Sequence, residues 1–307
     1  MWRFVLKRTL KGVFYIWCIW SLVFLLFRVT GDPISVMFPE GATEYQLEAT
    51  MRLFHLDEPL WKQYLLSFQD LLHGEMGDSF FYRRPVTDLF AERLGTTVKL
   101  SAIVLTVFVF IGVSLGVLAG INHRKPADRI IMFFAIVLNT IPGFCFGIIL
   151  ILVFSLFLGI LPSAGSKTWL HFVLPACTIG VGTMAGQARL TRSSLLTVLN
   201  KEYINGARMK GVKEPVVIIR HGLRNSLIPV VTSLAASLGT IISGAVVTET
   251  IFSMPGMGAL LVTAAKNSDY PIMQYGVLLI ATSVNIMNIV VDIAYGWLDP
   301  RIRENFK

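Results

Sequence analysis

Long uncharged runs alternate with short polar segments along most of the chain. Six of these runs are close to the length of about 20 apolar residues that crosses a hydrocarbon layer. They are Gly12–Phe27, Leu100–Asn122, Ile130–Leu158, Thr168–Ala188, Asn225–Thr248 and Tyr270–Leu298. The third is interpreted as one long helix in which Pro142 and Gly143 introduce a kink. The pattern predicts an all-α integral membrane protein with six transmembrane helices.

The distribution of lysine and arginine predicts the orientation of these helices. If the N-terminus is cytoplasmic, the four predicted cytoplasmic segments are residues 1–11, 122–129, 189–225 and 299–307. They carry 18 of the 27 basic residues. Because cytoplasmic loops are enriched in basic residues, both termini are expected inside. The formal net charge of +8 therefore indicates membrane topology, and we expect no nucleic-acid partner.

The spans divide the chain into four parts. Residues 1–29 are expected to form an N-terminal helix that stays in the membrane as a signal anchor, because no small-x-small cleavage site follows it. Residues 30–95 are expected to form a small extracytoplasmic subdomain, residues 96–299 a five-helix core, and residues 300–307 a cytoplasmic tail. Several apolar residues of the second part keep helical spacing. These are Leu53, Leu56, Leu60, Tyr64, Leu65 and Phe68.

Composition and motifs exclude some classes of function. Hydrophobic residues make up 54% of the chain and charged residues only 15%. The three cysteines, Cys18, Cys145 and Cys177, all lie in apolar runs without a C-x-x-C pair, so we expect packing roles. The chain contains no G-x-x-x-x-G-K-[ST] motif, so it has no Walker A loop for ATP. We expect no cofactor in this chain, and no enzymatic activity.

Glycines recur every fourth residue on three spans. Gly112, Gly116 and Gly120 lie on the second, Gly143 and Gly147 on the third, and Gly182 and Gly186 on the fourth. Small residues at this spacing let helix backbones approach closely. The pattern predicts tight helix packing at these stripes; a flexible gate is the alternative.

The most basic stretch of the chain lies between the fourth and fifth spans, around EYINGARMKGVKEPVVIIRHGLRNSLIP. We expect a helix from Thr191 to Met209, a bend at Gly211, a second short helix from Pro215, and the fifth span from Pro229. Isolated helices this short are marginal in water. The apolar residues 216–219 therefore predict docking on a partner surface; a solvated linker is the alternative.

This stretch resembles the EAA-type coupling loop of ATP-binding-cassette (ABC) importer permeases. It is most similar to the first (B-type) permease subunit of the dipeptide/oligopeptide/nickel family, although Gly206-Ala207-Arg208 replaces the letters E-A-A. GEMGDS (Gly74–Ser79), TETIFSMPGMG (Thr248–Gly258) and DYP (Asp269–Pro271) also resemble that family, as do GDP at Gly31–Pro33 and LDPRIR at Leu298–Arg303. The sequence departs from the family at Gly95 and Ser268.

The resemblance implies the type I importer fold and half of a translocation pore. The partners it implies are a homologous second permease, two ABC ATPases that bind ATP and Mg²⁺, an extracytoplasmic solute-binding protein, and membrane lipid. The expected location is the bacterial cytoplasmic (inner) membrane. Peptides and nickel or other metal chelates are the expected substrate classes, and the sequence does not choose between them.

The resemblance also implies two groups of site residues. The expected ATPase-coupling residues, within the loop 195–229, are Glu202, Tyr203, Ala207, Arg208, Lys210, Gly211, His221, Arg224 and Asn225. Arg208 and Arg224 either bond to the ATPase or brace the loop internally. The expected contacts at the outer gate and the binding protein are Glu249, Pro255, Gly256, Gly258, Asp269, Tyr270 and Pro271. Pro255, Gly256 and Gly258 further predict a turn, then a short outer helix over residues 259–266.

The alternative class is a secondary transporter or channel that works without ATPases. Such a protein would show paired intramembrane charges or inverted repeats. Asp292 in the sixth span has no second carboxylate at similar depth, so a structural partner is the favoured role and a proton relay is disfavoured.

Overall fold

The computed structural model describes residues 2–29, 38, 41–55 and 58–298. Within these ranges the chain is helical, and the one isolated β-bridge pairs Asp78 with Pro85. Gly31–Pro33, Leu56 and residues 299–307 lie outside the described residues, as does the side chain of Asp292. The roles expected for those positions stay predictions.

The first part of the chain contains one long helix, two short ones and the start of a second long helix. Helix α1 spans Trp2–Val29, α2 Glu44–Phe54 and α3 Leu60–His73. Helix α4 (Val86–Ile103) continues through a π-helical segment, Val104–Phe108, into α5 (Val109–Ile121). The expected boundary at residue 95 therefore lies inside a continuous helix.

The third span is broken, which corrects the expectation of one kinked helix. Helix α6 spans Pro126–Thr140, and α7 (Gly143–Leu150) continues as a π-helix over Ile151–Phe157. The two halves meet at an angle of 101°. Pro142 forces Ile141 into an extended conformation, with ψ of 124°, because its ring excludes the helical conformation of the preceding residue.

The region after the fourth span also differs from the prediction. Helix α8 spans Val173–Leu199 after a 3₁₀ turn at Trp169–Phe172, and it ends where Lys201 is extended. Helix α9 is only Glu202–Met209, so the helix expected over residues 191–209 is in fact two.

The second helix of the basic stretch does not stand alone. Helix α10 (Glu214–Val216) runs through a π-helical segment, Val217–Leu223, directly into α11 (Arg224–Ile251). Pro229 lies inside α11 and does not begin it. The segment from Glu214 is therefore the start of the fifth span, and the expected separate helix is wrong.

The last part contains α12 (Met257–Lys266), after a turn, and α13 (Tyr270–Leu298). The short helix expected near residues 259–266 is thus present. Four stretches are long and apolar enough to cross a membrane alone: Val5–Leu26, Val86–Ile121, Trp169–Leu199 and Tyr270–Val291. Two bent pairs, Pro126–Thr140 with Gly143–Phe157 and Glu214–Leu234 with Ser237–Ile251, bring the number of candidate spans among the described residues to six if each pair crosses the membrane once.

Helices α8 and α11 form the centre of the bundle. Helix α8 packs against α5, α6, α7 and α11, whereas α11 also packs against α12 and α13. Helix α1 lies at the edge, along α13. The buried apolar residues fall into two clusters, one around Leu100, Leu174 and Ile241 and another around Trp20, Phe90 and Tyr275.

Candidate functional site

Helix α9 is held as a projecting element between α8 and α10. Its Ile204 is completely buried, which anchors the helix to the bundle. Gly211 has a φ of +76°, a conformation that glycine adopts readily and other residues adopt only at a cost of about 1–2 kcal/mol. The N–H of Gly211 donates to the carbonyl of Arg208, and that of Val212 to the carbonyl of Ala207. The predicted glycine bend is therefore present.

Arg208 braces this bend internally. Its Nε and Nη2 donate to the two carboxylate oxygens of Glu214 at 3.0 and 2.7 Å, and its Nη1 donates to Asn205 Oδ1 at 3.3 Å. The hydrogen bond to Glu214 raises the pKa of the Arg208 guanidinium. Such a two-bond geometry fixes orientation as well as distance. Helix α9 and the start of α10 are thereby clamped together.

A second tie joins α9 to the start of α11. The Nδ2 of Asn225 donates to Tyr203 Oη at 3.0 Å and to the His221 carbonyl at 3.1 Å. His221 is half-buried and Arg224 is exposed. The structure therefore brings Tyr203, Arg208, Gly211, His221 and Asn225 into one braced unit.

The outer surface of this unit mixes charged and large apolar side chains. Glu202, Lys210 and Arg224 are exposed, and Ala207 is half-buried. Met209 and Ile219 are 84% and 67% exposed, and Tyr203 is also exposed. Exposed apolar groups beside charges are typical of protein–protein contact surfaces. We call the segment Glu202–Leu223 with Arg224 and Asn225 the coupling element.

An ion-pair cluster that sequence reasoning missed ties α6 to α8. The buried carboxylate of Asp128 accepts hydrogen bonds from Nε and Nη2 of Arg192 at 2.5 and 2.7 Å, and from the N–H of Arg124 at 3.0 Å. His123 lies beside it, with Nδ1 3.4 Å from Asp128 Oδ2. The sequence did contain a signal for this cluster, because Asp128 is the only acidic residue between Glu92 and Glu202.

A groove lined by apolar and uncharged polar side chains runs between α6, α7, α8 and α11. Two adjoining cavities of about 490 Å³ each form it, and they share Asn139, Ile179, Gly182 and Thr240. Helix α11 contributes a stripe at helical spacing: Ser233, Ser237, Thr240, Gly244 and Thr248. These residues are spaced by four, three, four and four positions. In the sequence, this spacing is the signal that they share one face of a helix.

The groove has one hydrogen-bonded network. Gln187, itself buried, donates through Nε2 to Ser233 Oγ at 3.0 Å and to Ser237 Oγ at 3.3 Å. Across the groove, Asn139 is exposed on the last turn of α6, next to the helix break. A polar side chain inside a span is costly unless it faces water or protein. The groove therefore presents a stripe of polar groups between apolar walls.

The glycine stripes behave differently from one another. A Cβ at Gly112, Gly116 or Gly120 would overlap α8, which confirms close packing there. Gly147 likewise contacts Thr178. Gly182 and Gly186 have no atom within 4 Å of an added Cβ, because they face the groove. The expectation of tight packing at Gly182 and Gly186 is therefore wrong within the described residues.

Glu249 caps the short helix α12. Its carboxylate accepts from the N–H groups of Gly258 and Ala259 at 2.8 and 3.3 Å and from Thr97 Oγ1 at 2.5 Å. Thr97 Oγ1 in turn accepts from the N–H of Met257. The first N–H groups of a helix lack internal partners, so this arrangement satisfies them. A Cβ at Gly256 would overlap the Glu249 carboxylate, which explains the glycine there.

Asp269 joins two segments that are far apart in the sequence. Its carboxylate accepts from Ser79 Oγ at 2.5 Å and from the N–H groups of Phe80 and Phe81 at 3.4 and 3.2 Å. The GEMGDS and DYP segments therefore meet in space. The loop after α3 is fastened through this carboxylate to the start of α13.

The expected outer-gate residues are mostly inside the protein. Glu249, Gly256, Gly258, Asp269 and Pro271 are buried, while Pro255 and Tyr270 are half-buried. The buried residues cannot contact a binding protein directly in this conformation. Glu249 and Asp269 instead position α12 and α13 through the hydrogen bonds described above. Among the described residues no group of three or more His, Cys, Asp and Glu side chains is arranged to hold a metal ion.

A helix bundle with a broken third span, a polar groove and a braced basic element defines the membrane subunit of a transporter. Residues 112–304 match the family of binding-protein-dependent transport system inner membrane components. The chain belongs to that family and is a permease subunit of an ABC importer.

Curated relatives match the chain over nearly its whole length. Glutathione transport system permease proteins from Escherichia coli K12 and Shigella dysenteriae serotype 1 are each 36% identical to it over 304 residues. The alignment covers 99% of both chains in each case. A crystal structure of an amino acid ABC transporter with histidines shares the fold, with a TM-score of 0.54 at 15% identity, over 70% of this chain and 94% of that one.

Proposed function

We propose that the chain forms half of the translocation pore of an importer for short peptides, with glutathione as the reference substrate. The observation that carries this proposal is the full-length similarity to permeases named for glutathione transport. The other half would be a homologous permease. Two ABC ATPases would bind ATP and Mg²⁺, a solute-binding protein would deliver the substrate, and this chain would catalyse no reaction.

The braced coupling element supports a specific route for the motion. ATP-driven closure of the ATPases would move α9. Because Arg208 clamps α9 to Glu214, and α10 continues into α11 without a loop, that movement would pass along α11 and through its 45° bend between Leu234 and Ser237. Ser233 to Thr248 of α11 line the groove, so its wall would shift with the coupling element.

The ion-pair cluster supports a second connection to the groove. Asp128 on α6 and Arg192 on α8 lie at the same end of the bundle as the coupling element. Their bond holds the two remaining walls of the groove together. A displacement of α8 would therefore carry α6 and its broken end at Thr140 with it.

The chemistry of the groove favours a solute rich in amide groups. The described lining offers the amides of Asn139 and Gln187 and the hydroxyls of Ser233, Ser237 and Thr240 among apolar groups, and none of the described lining side chains is charged. Amides and hydroxyls can donate to and accept from a peptide backbone. Bonds of this kind are weak enough to be exchanged during passage, as conduction requires. Metal chelates remain the second candidate class.

The proposed location is the bacterial cytoplasmic membrane, with both termini and the coupling element inside. The basic residues of the predicted cytoplasmic segments support this orientation. Single cysteines at Glu44 and Lys213 test it in sealed cells. A membrane-impermeant reagent is expected to label position 44 from outside, and labelling of position 213 would reverse the orientation.

The main test is uptake by the reconstituted complex. Proteoliposomes with both permeases, the ATPases and the binding protein are expected to accumulate labelled glutathione only with ATP. Ala207→Asp and Gly211→Val are expected to abolish substrate-stimulated ATP hydrolysis while both permeases still co-purify. Gradient-driven uptake without ATPases would instead support a secondary transporter. Competition by nickel chelates but not by tripeptides would overturn the proposed substrate class.

A further inference from the structure

Helix α3 buries two polar side chains and exposes part of its apolar surface. Gln63 and Ser67 are only 5% and 3% exposed, whereas Trp61, Leu65 and Leu72 are 68%, 57% and 72% exposed. A helix in a water-soluble subdomain turns large apolar side chains toward its core. The exposed side of α3 therefore faces something other than water.

Three of the four large exposed apolar residues form one stripe along the helix, whereas Leu60, its first residue, is 64% exposed and projects about 100° away from Trp61. At 3.6 residues per turn, Trp61, Leu65 and Leu72 project within about 40° of each other, with half-buried Phe68 at the edge. His73 projects about 100° further round and is exposed. We call Trp61, Leu65 and Leu72 the apolar stripe. A narrow apolar stripe next to a polar row is the pattern of helices that lie in a membrane interface.

Contacts with α1 fix the depth at which α3 lies. Tyr64 Oη is 2.7 Å from Ser21 Oγ, and the Tyr64 ring packs edge-on against Phe24 with centroids 5.3 Å apart. Ser21 lies within the candidate span Val5–Leu26, five residues from its end. At about 1.5 Å per residue this is about 7–8 Å inside the span. Helix α3 therefore lies beside the end of the span rather than far above it.

A second set of contacts gives the same depth. Tyr64, Phe68 and Leu71 belong to the apolar cluster around Trp20, one residue deeper in α1 than Ser21. The Trp20 ring stacks on Tyr275 of α13 with centroids 6.0 Å apart. Two spans, α1 and α13, therefore hold α3 at the level of the outer part of the helix bundle.

The surroundings of the stripe favour lipid over protein as its occupant. Around the Tyr64 contact, α1 exposes Leu22, Leu25 and Leu26, the surface that a peripheral membrane helix turns to lipid. The groove, by contrast, lies at α6, α8 and α11, and α1 packs along α13. The stripe thus extends a lipid-facing surface and lies apart from the groove.

We propose that α3 is an interfacial helix whose apolar stripe lies in the lipid of the leaflet adjoining residues 41–85. Its Trp61 is suited to this layer, where aromatic rings accumulate at the headgroup level. The helix then anchors the following loop, in which Ser79 and the N–H groups of Phe80 and Phe81 hold Asp269. Residues 60–85 are accordingly a membrane-attached support for α13.

Site-directed spin labelling of the complete complex in liposomes tests this proposal. Cys18, Cys145 and Cys177 are replaced, and Leu65→Cys, Leu72→Cys or His73→Cys is labelled in turn. Labels at 65 and 72 are expected to collide with oxygen and be shielded from aqueous chromium oxalate. Position 73 is the matched control, adjacent to 72 but on the polar row, and its oxygen-to-chromium ratio is expected to be several-fold lower.

Two results would overturn the proposal. Chromium oxalate access at positions 65 and 72 equal to that at 73 would place the stripe in water. Shielding from both oxygen and chromium oxalate, with or without the binding protein, would mean that a protein surface covers it. Neither result depends on transport activity, so the permease function and this placement are tested separately.

Discussion

Glycines recur at four-residue spacing on α5 where it meets α8, and again on the side of α8 that faces the groove, and the structure uses these two stripes in opposite ways. Toward α5, Gly112, Gly116 and Gly120 let the two backbones touch. Toward the groove, Gly182 and Gly186 meet nothing within 4 Å. A small residue permits close approach but does not supply the neighbour. The closed face is part of the folded chain, and the open face is free for a solute or the second permease.

The largest expected effect is at the closed face. Gly116→Val would force a side chain into the Ala188 carbonyl and Thr191, where a Cβ alone already overlaps. We expect a destabilisation of about 3 kcal/mol, at the upper end of ordinary overpacking. Thermal unfolding of the purified protein, followed by size-exclusion chromatography, measures it. A melting temperature equal to wild type would show that the two faces do not differ in packing.

The ion pair beside the closed face comes next. Asp128→Asn leaves Arg192 without its carboxylate. Removing one member of a buried pair costs about 3–5 kcal/mol, which we reduce to about 2 because Arg192 is partly exposed. The Arg192→Gln variant and the double variant complete a cycle. Additive losses in the cycle would mean that the bond between α6 and α8 contributes nothing.

At the open face, we expect a substitution to lower transport without lowering stability. Gly186→Val meets no neighbour, so its unfolding free energy should stay within about 0.5 kcal/mol of wild type. Uptake by the complete complex should nevertheless fall about tenfold, since the valine narrows the groove or displaces the second permease. Co-purification distinguishes these two causes. Normal uptake would remove Gly186 from the transport path.

The smallest effect is expected within the groove network. Ser237→Ala removes the weaker of two acceptors of Gln187, at 3.3 Å, so stability should change by about 1 kcal/mol or less. If the groove bonds the solute, the substrate concentration for half-maximal uptake should rise while basal ATP hydrolysis is unchanged. Thr232→Ala on the same helix, whose hydroxyl bonds to its own Ile228 carbonyl, is the control.

The placement of helices could be predicted from the sequence where the pattern is local. Runs of apolar residues predicted the spans, and Pro255 with Gly256 and Gly258 predicted the turn before α12. Gly211 predicted the bend of the coupling element, since only a residue without a Cβ adopts positive φ freely. Each of these signals depends on backbone preference or hydrophobicity within a few residues, which the sequence states directly.

The errors arose where neighbours in space decide the outcome. The sequence permitted a kink at Pro142, but the 101° break depends on how both halves pack on α8. Pro229 was expected to begin a helix, yet it lies inside α11, because the helix that starts at Glu214 runs through residues 217–223 into α11 without a break.

The sequence by itself determined the membrane class, the family and the basic element, because hydrophobicity, charge and short motifs are properties of single segments. Only the tertiary structure decided that Arg208 braces the coupling element and that Asp128 pairs with Arg192. It also decided that the carboxylates of Glu249 and Asp269 are buried and join separate segments of the chain. It also separated a glycine stripe that packs from one that stays open. These outcomes depend on distances between residues up to 190 positions apart, which no local pattern specifies.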